Sequence, residues 1–513
     1  MTNSTQLLNS FDQVVVLMME NRSFDNVMGY LYPPGSGVEV AGASGHSNQG
    51  PDHKETFTSP TATSHTPFPD PGEYMLNVMR QMYGDLFDGE NYNPPNPPTM
   101  SGFINDYQAV LQGLKEVEPE VFRWPGNPAV TAPQIMQCQS ETTLPALFHI
   151  ARDFAVFDHW FCALPSATWP NRAFWHADTS YGFADNPSKQ ADWTFTDWLL
   201  ASDAPTLFCQ LDRKFPDSSR NWTIYSDQQP FPLTKFIHAG ALMGEHSEDN
   251  FRYLEYEKSG SPNFFDDCAQ GTLPQYSFLE PRFLNLVDHG LWHNDMHPSK
   301  FLSSPHWALW GPSGPGSITL GDQLLLKVYE ALRESPQRDR TLFMLAFDEH
   351  GGCYDHVPPG TAAAPDRESF HLGEAQHGFE FRQLGPRVPM MMVSSHISAK
   401  TVVQEPLNHA SFLAGLQDKW GLAPLGPRSS SATSFADVLP VQAQPREWED
   451  YSSLKMHLET PDEKQLQHLL DDLSPLNDLQ LSYFQALSEI AGVAPAGVET
   501  AQQANAVLRE LEL

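Results

Sequence analysis

Two uninterrupted apolar runs stand out in this chain of 513 residues, VVVLMM at 14–19 and TLFMLAF at 341–347. β-Branched and apolar residues that do not alternate with polar ones are typical of strands buried on both faces of a parallel sheet. A helical pattern at 321–335 precedes the second run and ends at a Ser-Pro step. The sequence therefore predicts an α/β fold built on a central, mostly parallel sheet.

Further segments extend this pattern along the chain. After the first run the sequence predicts a tight turn and a short helix, capped by Asn21 or Ser23. The stretch at 144–163 changes from a helical pattern to a strand, and the stretch at 387–395 predicts another buried strand. Because the chain contains 44 prolines and 33 glycines, the segments between these elements are predicted to be long loop insertions.

The character of the sequence changes near residue 440. Residues 1–440 contain all of the motifs described below and are predicted to form one catalytic domain. Residues 441–513 are rich in leucine, and Thr460-Pro461 supplies an N-cap and a first-turn proline for a helix. We expect this part to form a C-terminal helical extension that packs on the main domain.

The chain is strongly acidic, with 63 acidic and 30 basic residues and a formal net charge of -33 at pH 7. Such a surface repels nucleic acid and anionic bilayers, so we expect no nucleic-acid partner and at most a transient contact with a membrane surface. No stretch approaches the roughly 18 apolar residues of a membrane span. The five scattered cysteines indicate neither a disulfide framework nor a zinc ribbon.

The first eleven residues, MTNSTQLLNSF, lack the basic and apolar regions of a secretory leader. The sequence as encoded therefore predicts a cytoplasmic protein. Export would require a route that does not use a cleaved leader.

Two pairs of polar residues directly follow the predicted buried strands, Glu20-Asn21 after the first and Asp348-Glu349 after the second. The carboxyl ends of parallel strands meet at one edge of a sheet, so the four side chains are expected to converge. Clustered carboxylates repel one another unless a cation lies between them, which predicts a site for a divalent metal. The alternative is that each pair only caps the helix or turn that follows it.

The segment PSATWPNRAF at 165–174 places two hydroxyls, Ser166 and Thr168, in a proline-stiffened turn beside Asn171 and Arg172. A hydroxyl next to a metal can act as a nucleophile, and an arginine or asparagine can hold phosphate oxygens. An ordinary Thr-X-Pro turn would have the same sequence, so this segment alone does not identify a site.

Four of the 20 histidines are clustered, His293 with His297 in WHNDMHP and His350 with His356 in DEHGGCYDHVPPG. A histidine in a phosphoesterase site can protonate a leaving oxygen or hold a phosphoryl group. Taken singly, each of these residues is better explained as an ordinary surface or core histidine.

Taken together, seven blocks of the sequence resemble the bacterial phosphoesterase family that contains phosphatidylcholine-hydrolysing phospholipases C and acid phosphatases. The similarity runs from about residue 11 to about residue 425. In chain order the blocks are MMENRSFDNVMGYL (18–31), PDPGEYMLNVMRQMYG (69–84), PSATWPNRAF (165–174), LPQYSFLEPRF (273–283), NDMHP (294–298), FDEHGGCYDHVPP (347–359) and PRVPMMMVSS (386–395). The resemblance implies an alkaline-phosphatase-like three-layer sandwich with a central, mostly parallel sheet and long loop insertions.

The resemblance also implies roles for individual residues. It places a single metal ion on the side chains of Glu20, Asn21, Thr168, Asp348 and Glu349. Thr168 matches the hydroxyl that attacks phosphorus, and His297 matches a histidine that binds phosphate or protonates the leaving group. The residue types of the 165–174 segment, rather than the resemblance, lead us to expect that Asn171 or Arg172 holds the phosphoryl group.

The chain departs from the family pattern at two places. Some members read PDPGH where this chain has Glu73, and many carry a Tyr-X-His-Asp element where this chain reads YSDQQ at 225–229. Two expected histidines are therefore missing. His238, or a loop histidine such as His46 or His53, is a candidate to replace them.

These features predict a metal-dependent phospholipase C that hydrolyses phosphatidylcholine-like phospholipids to diacylglycerol and a phosphorylated headgroup, through a phospho-threonine intermediate on Thr168. One alternative is an acid phosphatase that acts on phosphate monoesters at the same site, so the substrate is either a phospholipid or a soluble phosphate ester. The other alternative is a catalytically inactive binding module that keeps the fold. Oxygen ligands favour Ca²⁺, Mg²⁺ or Mn²⁺, but Zn²⁺ also accepts carboxylates, so the identity of the one divalent cation stays open.

Overall fold

The structure is a computed structural model. It describes residues 2–61, 64–117, 131–187, 194–216, 218, 220–244, 246, 248–258, 260–285, 292–298, 318–365, 378–456, 476, 478–491, 498 and 500–510.

An eight-stranded sheet forms the centre of the molecule. The described residues contain these strands, of which eight form the central sheet and the others pair in short two-stranded sheets: β1 (Gln13–Met19), β2 (Ser47–Gln49), β3 (Glu55–Phe57), β4 (Ser59–Pro60), β5 (Gln137–Cys138), β6 (Ala155–Phe157), β7 (Trp160–Phe161), β8 (Trp222–Tyr225), β9 (Phe251–Arg252), β10 (Tyr276–Leu279), β11 (Thr341–Phe347), β12 (Met390–Val393), β13 (Thr401–Val403) and β14 (Leu407–Asn408). The order in the large sheet is β13-β6-β12-β11-β1-β10-β8-β9. Neighbouring strands are parallel, except that β12 runs antiparallel to β11 and β6. The predicted α/β class with a mostly parallel sheet is therefore confirmed.

The two apolar runs of the sequence are the adjacent strands β1 and β11 in the middle of this sheet. They pair in parallel, with Met19 at the end of β1 opposite Phe347 at the end of β11. Six of the seven residues of β1 and all seven of β11 are buried, because both faces of the sheet are covered. Since the strands end at the same level, residues 20–21 and 348–349 leave the sheet side by side.

Helices connect and cover the strands. They are α1 (Asn3–Ser10), α2 (Phe24–Met28), α3 (Met75–Tyr83), α4 (Phe103–Val117), α5 (Pro145–Asp153), α6 (Thr168–Ala177), α7 (Phe195–Ala201), α8 (Leu207–Lys214), α9 (Leu233–Ile237), α10 (Ala239–Leu242), α11 (Phe264–Gln270), α12 (Ile318–Glu334), α13 (His409–Trp420), α14 (Pro427–Ser431), α15 (Phe435–Val438), α16 (Asp478–Ala491) and α17 (Ala501–Glu510). Of the two predicted caps for α2, Ser23 is the one that accepts a hydrogen bond from the helix, at the backbone N–H of Asn26. Within the described ranges, no helix is long and apolar enough to cross a membrane.

The C-terminal part packs on the rest of the protein. Helix α16 belongs to an apolar cluster that includes Trp169, and the indole N–H of Trp169 donates to the Ser482 hydroxyl at 3.0 Å. Trp448, in contrast, lies in the main core around the sheet. The division near residue 440 stays a prediction, and the predicted helix start at 460–461 lies outside the described residues.

Candidate active site

The carboxyl ends of β1 and β11 bring the two predicted polar pairs together. The Asp348 carboxylate accepts hydrogen bonds from the backbone N–H of Asn21 at 3.1 Å and of Glu349 at 2.8 Å. Asn21 has a φ of 54°, a left-handed conformation that asparagine tolerates better than most residues. The chain can therefore turn sharply straight after β1, and Asp348 fixes the turn that follows each strand.

The turn after Glu349 depends on two glycines. Gly351 and Gly352 have φ values of 61° and 65°, which other residues rarely adopt. A Cβ atom on Gly351 would lie only 2.1 Å from the backbone carbonyl oxygen of Asn21. The close contact between the two loops at the edge of the sheet therefore requires a residue without a side chain.

Thr168 is the first residue of α6, and its side chain reaches the same edge. Its hydroxyl donates to Glu20 Oε2 at 3.0 Å and lies 3.3 Å from Asn21 Oδ1. The side chain is completely buried. Because the N-terminus of a helix attracts anions, a phosphate beside this hydroxyl would lie in a favourable field.

The neighbouring hydroxyl of Ser166 is held elsewhere. It donates to the Ala184 carbonyl and to Asp185 Oδ1, the latter at 2.7 Å. Of the two hydroxyls in this segment, Thr168 is therefore the one that contacts the acidic edge.

Asn171 supports the turn that precedes α6. Its side-chain oxygen accepts from the Leu164 N–H at 2.9 Å, and its amide nitrogen donates to the carbonyls of Ser166 and Ala167 at 2.8 and 3.0 Å. The side-chain amide of Asn171 thus bonds to backbone N–H and C=O groups of the loop, which need hydrogen-bond partners because they are buried. In this geometry Asn171 supports the turn that carries Thr168, and its expected contact with phosphate stays a prediction.

Arg172 bridges the two acidic pairs. Its Nη2 lies 2.5 Å from Glu20 Oε1 and its Nε lies 3.2 Å from Asp348 Oδ2, with the arginine side chain only 2% exposed. The remaining nitrogen, Nη1, is buried without a hydrogen-bond partner in the described part of the chain. Arg172 therefore neutralises part of the acidic edge and has one donor without a partner in the described chain, while its role in holding a phosphate oxygen stays a prediction.

The charges at this edge fit a bound cation. Burial raises the pKa of the Glu20 carboxyl well above its ordinary range, against the effect of Arg172, and burial together with nearby carboxylates does the same for the pKa of Glu349. Glu349 Oε1 is buried and has no hydrogen-bond partner among the described residues. A divalent cation would supply this partner and remove the repulsion, and the oxygen donors suit a hard ion.

Two other clusters in the described ranges have three possible ligand atoms within 4.8 Å of one another. One cluster consists of Asp25, Asp355 and His356. Arg387 already occupies it, with Nη2 2.9 Å from Asp25 and Nε 2.8 Å from Asp355. Because this buried guanidinium compensates the carboxylates, the cluster is explained as a structural ion network.

The other cluster, Asp70, Glu73 and His297, borders the Thr168 edge. The two carboxylates face opposite ring nitrogens: Asp70 Oδ1 lies 3.8 Å from Nδ1 and Glu73 Oε2 lies 3.4 Å from Nε2. One oxygen of each carboxylate and one ring nitrogen nevertheless lie within 4.8 Å of one another, so this cluster also offers three possible ligands to a cation. The Nδ1 atom also lies 2.7 Å from the Pro298 carbonyl, which leaves Nε2 as the nitrogen that gains or loses a proton. Although burial lowers it, these carboxylates raise the pKa of His297 well above its ordinary value.

Glu73 is the site residue that sequence reasoning treated only as a missing histidine. Its Oε2 accepts from the Asn21 amide nitrogen at 2.5 Å, and the same nitrogen lies 2.9 Å from His297 Nε2. The sequence signal that could have identified Glu73 as a site residue is its position in the block at 69–84, which resembles the family pattern. The side-chain amide of Asn21 therefore lies between the Glu73 carboxylate and the Thr168 hydroxyl.

The histidines proposed as replacements have other partners. His238 is buried beside His176, and Nδ1 of His238 lies 2.5 Å from the Tyr181 hydroxyl oxygen. His46 stacks on His356 with ring centroids 3.6 Å apart, and His53 lines a surface cavity with both of them. Within the described part of the chain, none of these three histidines contacts Thr168 or Glu73, so none of them replaces the missing histidines at this edge.

Residues 11–423 match the family model of the phosphoesterase family. The chain belongs to this family. It is 31% identical over 444 residues to non-specific phospholipase C5 of Arabidopsis thaliana, covering 83% of this chain and 73% of that protein. It is 21% identical over 442 residues to phospholipase C A of Mycobacterium tuberculosis, covering 81% of this chain and 74% of that protein. The predicted resemblance and the predicted class, a phosphoric-ester hydrolase of the phospholipase C type, are confirmed.

Among solved structures, the chain is similar to a member of the alkaline phosphatase superfamily from Vibrio parahaemolyticus. The TM-score is 0.31 with 12% sequence identity, and the similarity covers 67% of this chain and 80% of that chain.

Proposed function

We propose that this phosphoesterase is a metal-dependent phospholipase C that acts on phosphatidylcholine-like phospholipids. The residues proposed to hold one divalent cation are Glu20, Asn21, Thr168, Asp348 and Glu349. The observation that carries the proposal is the Thr168 hydroxyl, which donates to Glu20 at the N-terminus of α6 within a buried acidic edge. When bound, a divalent cation supplies Lewis-acid stabilisation of the attacking and phosphoryl oxygens.

Each side chain of the site has a separate role in the proposed reaction. Thr168 Oγ1 forms a bond to phosphorus, and Glu20 Oε2, its hydrogen-bond partner, receives the hydroxyl proton. The bond from phosphorus to the diacylglycerol oxygen breaks, and that oxygen takes a proton from His297 Nε2. Arg172 Nη1 holds a phosphoryl oxygen, while Asn171 keeps the turn that aims the hydroxyl.

Water completes the cycle. It attacks the phospho-threonine, the bond between Thr168 and phosphorus breaks, and the threonine oxygen recovers its proton as the phosphorylated headgroup leaves. The proton that His297 gave to the alcohol is replaced by the one released from the attacking water.

The experiment compares Thr168→Ala, Thr168→Ser and Ser166→Ala on phosphatidylcholine vesicles and on p-nitrophenyl phosphorylcholine. Loss of the nucleophile is expected to reduce kcat by about three orders of magnitude or more in Thr168→Ala, whereas Thr168→Ser keeps part of the activity because it keeps the hydroxyl. Acid quench of the wild type should trap phosphorus on the peptide that contains Thr168. A near-normal Thr168→Ala variant, or a label that Thr168→Ala retains and Ser166→Ala loses, would contradict the assignment.

A further inference from the structure

Arg22 is a buried cation that the proposed mechanism does not use. Its side chain is completely buried. The buried guanidinium groups of Arg172 and Arg387 lie 2.5 and 2.9 Å from a carboxylate oxygen, whereas Arg22 forms no ion pair within the described ranges. A buried charge without a partner of opposite sign lowers stability. This cost points to a role in holding the groups that the guanidinium contacts.

The guanidinium joins two loops at the edge of the site. Its Nε donates to the Met296 carbonyl at 2.8 Å, and its Nη1 donates to the Thr66 carbonyl, also at 2.8 Å. Met296 directly precedes His297, and Thr66 lies four residues before Asp70. Because Asp70 Oδ1 lies 3.8 Å from Nδ1 of His297, the loops that Arg22 joins are those that carry His297 and its neighbouring carboxylate.

The turn at Met296 needs such support because its backbone is in the left-handed region. Its φ is 73°, a conformation that residues other than glycine, asparagine and aspartate rarely adopt. The residue before it is fixed on both sides: the Asp295 carbonyl accepts from the Glu20 N–H at 2.8 Å, and Asp295 Oδ1 accepts from the His297 N–H at 3.1 Å. Without the bond from Arg22, the turn would relax toward ordinary backbone angles, and the ring of His297 would turn with it.

We propose that Arg22 is a positioning residue, which aims His297 Nε2 at the leaving oxygen by holding the turn at Met296. This inference rests on the proposed function, which makes His297 the proton donor. The opposing interpretation is that Arg22 only stabilises the fold. The two differ in their consequences, because a misplaced proton donor slows the reactions that need the proton, whereas a general loss of structure slows all reactions alike.

The experiment compares two phosphorylcholine esters that differ in the leaving group: p-nitrophenyl phosphorylcholine, and dihexanoyl phosphatidylcholine supplied below its critical micelle concentration. The p-nitrophenolate leaves without a proton, whereas the diacylglycerol oxygen needs one. Arg22→Met is expected to lower kcat for the lipid by about tenfold to a hundredfold and to leave kcat for the p-nitrophenyl ester within about threefold. KM should change little for either ester, since the substrate contacts are kept.

Two further variants separate positioning from general destabilisation. The matched control is Arg446→Met, which removes a bond from Nη2 to the Asp153 carbonyl at 2.7 Å, at the amino end of β6 and therefore at the opposite edge of the sheet. This control should leave the ratio of the two activities unchanged. In the double variant Arg22→Met/His297→Gln, lipid turnover should equal that of His297→Gln within about twofold, because the bond from Arg22 acts through the ring that is missing.

Equal losses of kcat on both esters in Arg22→Met would overturn the positioning role, and so would a double variant that is clearly slower than His297→Gln. If Arg22→Met does not fold, Arg22→Lys replaces it, since an ammonium group lacks the planar fork that reaches both carbonyls. A ratio shifted toward the p-nitrophenyl ester in folded Arg22→Lys supports the proposal, and an unchanged ratio overturns it.

Failure of the proposed function gives a different result. In that case His297→Gln itself slows both esters alike, or no divalent cation gives turnover, and hydrogen exchange decides whether Arg22 holds His297. Exchange at the His297 N–H, measured by mass spectrometry on peptides from residues 292–298, should be faster by about tenfold in Arg22→Met, while exchange in β11 stays unchanged. Equal exchange at His297 in the variant and the wild type overturns the proposal.

Discussion

Replacement of Arg172 by methionine is expected to reveal how much of the fold depends on internal charge compensation. The Arg172 guanidinium lies 2.5 Å from Glu20 and 3.2 Å from Asp348, and none of the three side chains is more than 2% exposed. Methionine has a similar length and fills the space without the charge. The variant therefore leaves two buried carboxylates next to each other without their shared cation.

The cost can be worked out from this geometry. Removing one partner of a buried ion pair typically destabilises a protein by about 3–5 kcal/mol, and burial already raises the pKa of the Glu20 carboxyl well above its ordinary range. We expect a loss of this size in the free energy of unfolding, measured by urea denaturation in the presence of EDTA at pH 7.5. Added Mn²⁺ should restore more stability to the variant than to the wild type, because it brings positive charge to the same carboxylates.

The matched control is Arg340→Met. Arg340 contacts Asp12 through two nitrogens, at 2.6 and 2.9 Å, but this pair is about half exposed. An exposed pair contributes only about 0–1 kcal/mol, so Arg340→Met should be nearly neutral. If Arg172→Met costs no more than the control, the acidic edge is not compensated by Arg172 in the way described here.

Three other changes test separate parts of the structure. Gly351→Ala should abolish activity and lower Tm, because the added Cβ atom would lie 2.1 Å from the Asn21 carbonyl oxygen. A variant with the melting curve and turnover of the wild type would show that this close contact between the two loops is not required. Burial lowers the pKa of His238 to about 3, so the ring stays neutral in the folded protein, whereas the unfolded chain takes up a proton below pH 6.5 and stability is lost as the pH falls. His238→Gln should therefore reduce the slope of the unfolding free energy against pH, between pH 6 and 4, by about 1.4 kcal/mol per pH unit. Equal slopes in the variant and the wild type would refute this. Chelation of divalent cations should abolish turnover. Asp348→Asn should weaken Mn²⁺ binding in calorimetry, since each carboxylate contributes charge to the proposed cation site. Full activity of metal-stripped protein would exclude a metal requirement.

The central sheet and the location of the site were predictable because both follow from local pattern. An unbroken apolar run needs cover on both faces, which fixes β1 and β11 as interior strands, and the polar residues that end the runs must then leave the sheet at one edge. The antiparallel direction of β12 was not predictable, since a buried run at 387–395 looks the same in either direction. Direction depends on the path of the loops before it, which the sequence pattern does not specify.

The roles of single residues were less predictable, because they depend on the direction in which a side chain leaves its loop. Asn171 and Arg172 are neighbours in one motif, yet one is occupied by the loop before α6 and the other reaches Glu20 and Asp348. A difference of about 100° around the helix axis separates successive residues. No property of the residue types indicates which of the two faces the sheet.

The arrangement on α6 explains why nucleophile and compensating charge occur in one short motif. Thr168 and Arg172 are four residues apart, so their side chains lie on the same face of the helix, one turn from each other. That face meets the end of β1, where Glu20 accepts from the Thr168 hydroxyl through Oε2 and pairs with Arg172 through Oε1. A single carboxylate thus ties the attacking oxygen and the guanidinium to the sheet, and any displacement of α6 would move both groups together. The spacing between hydroxyl and positive charge is therefore set by the helix itself, which is more rigid than a loop would be.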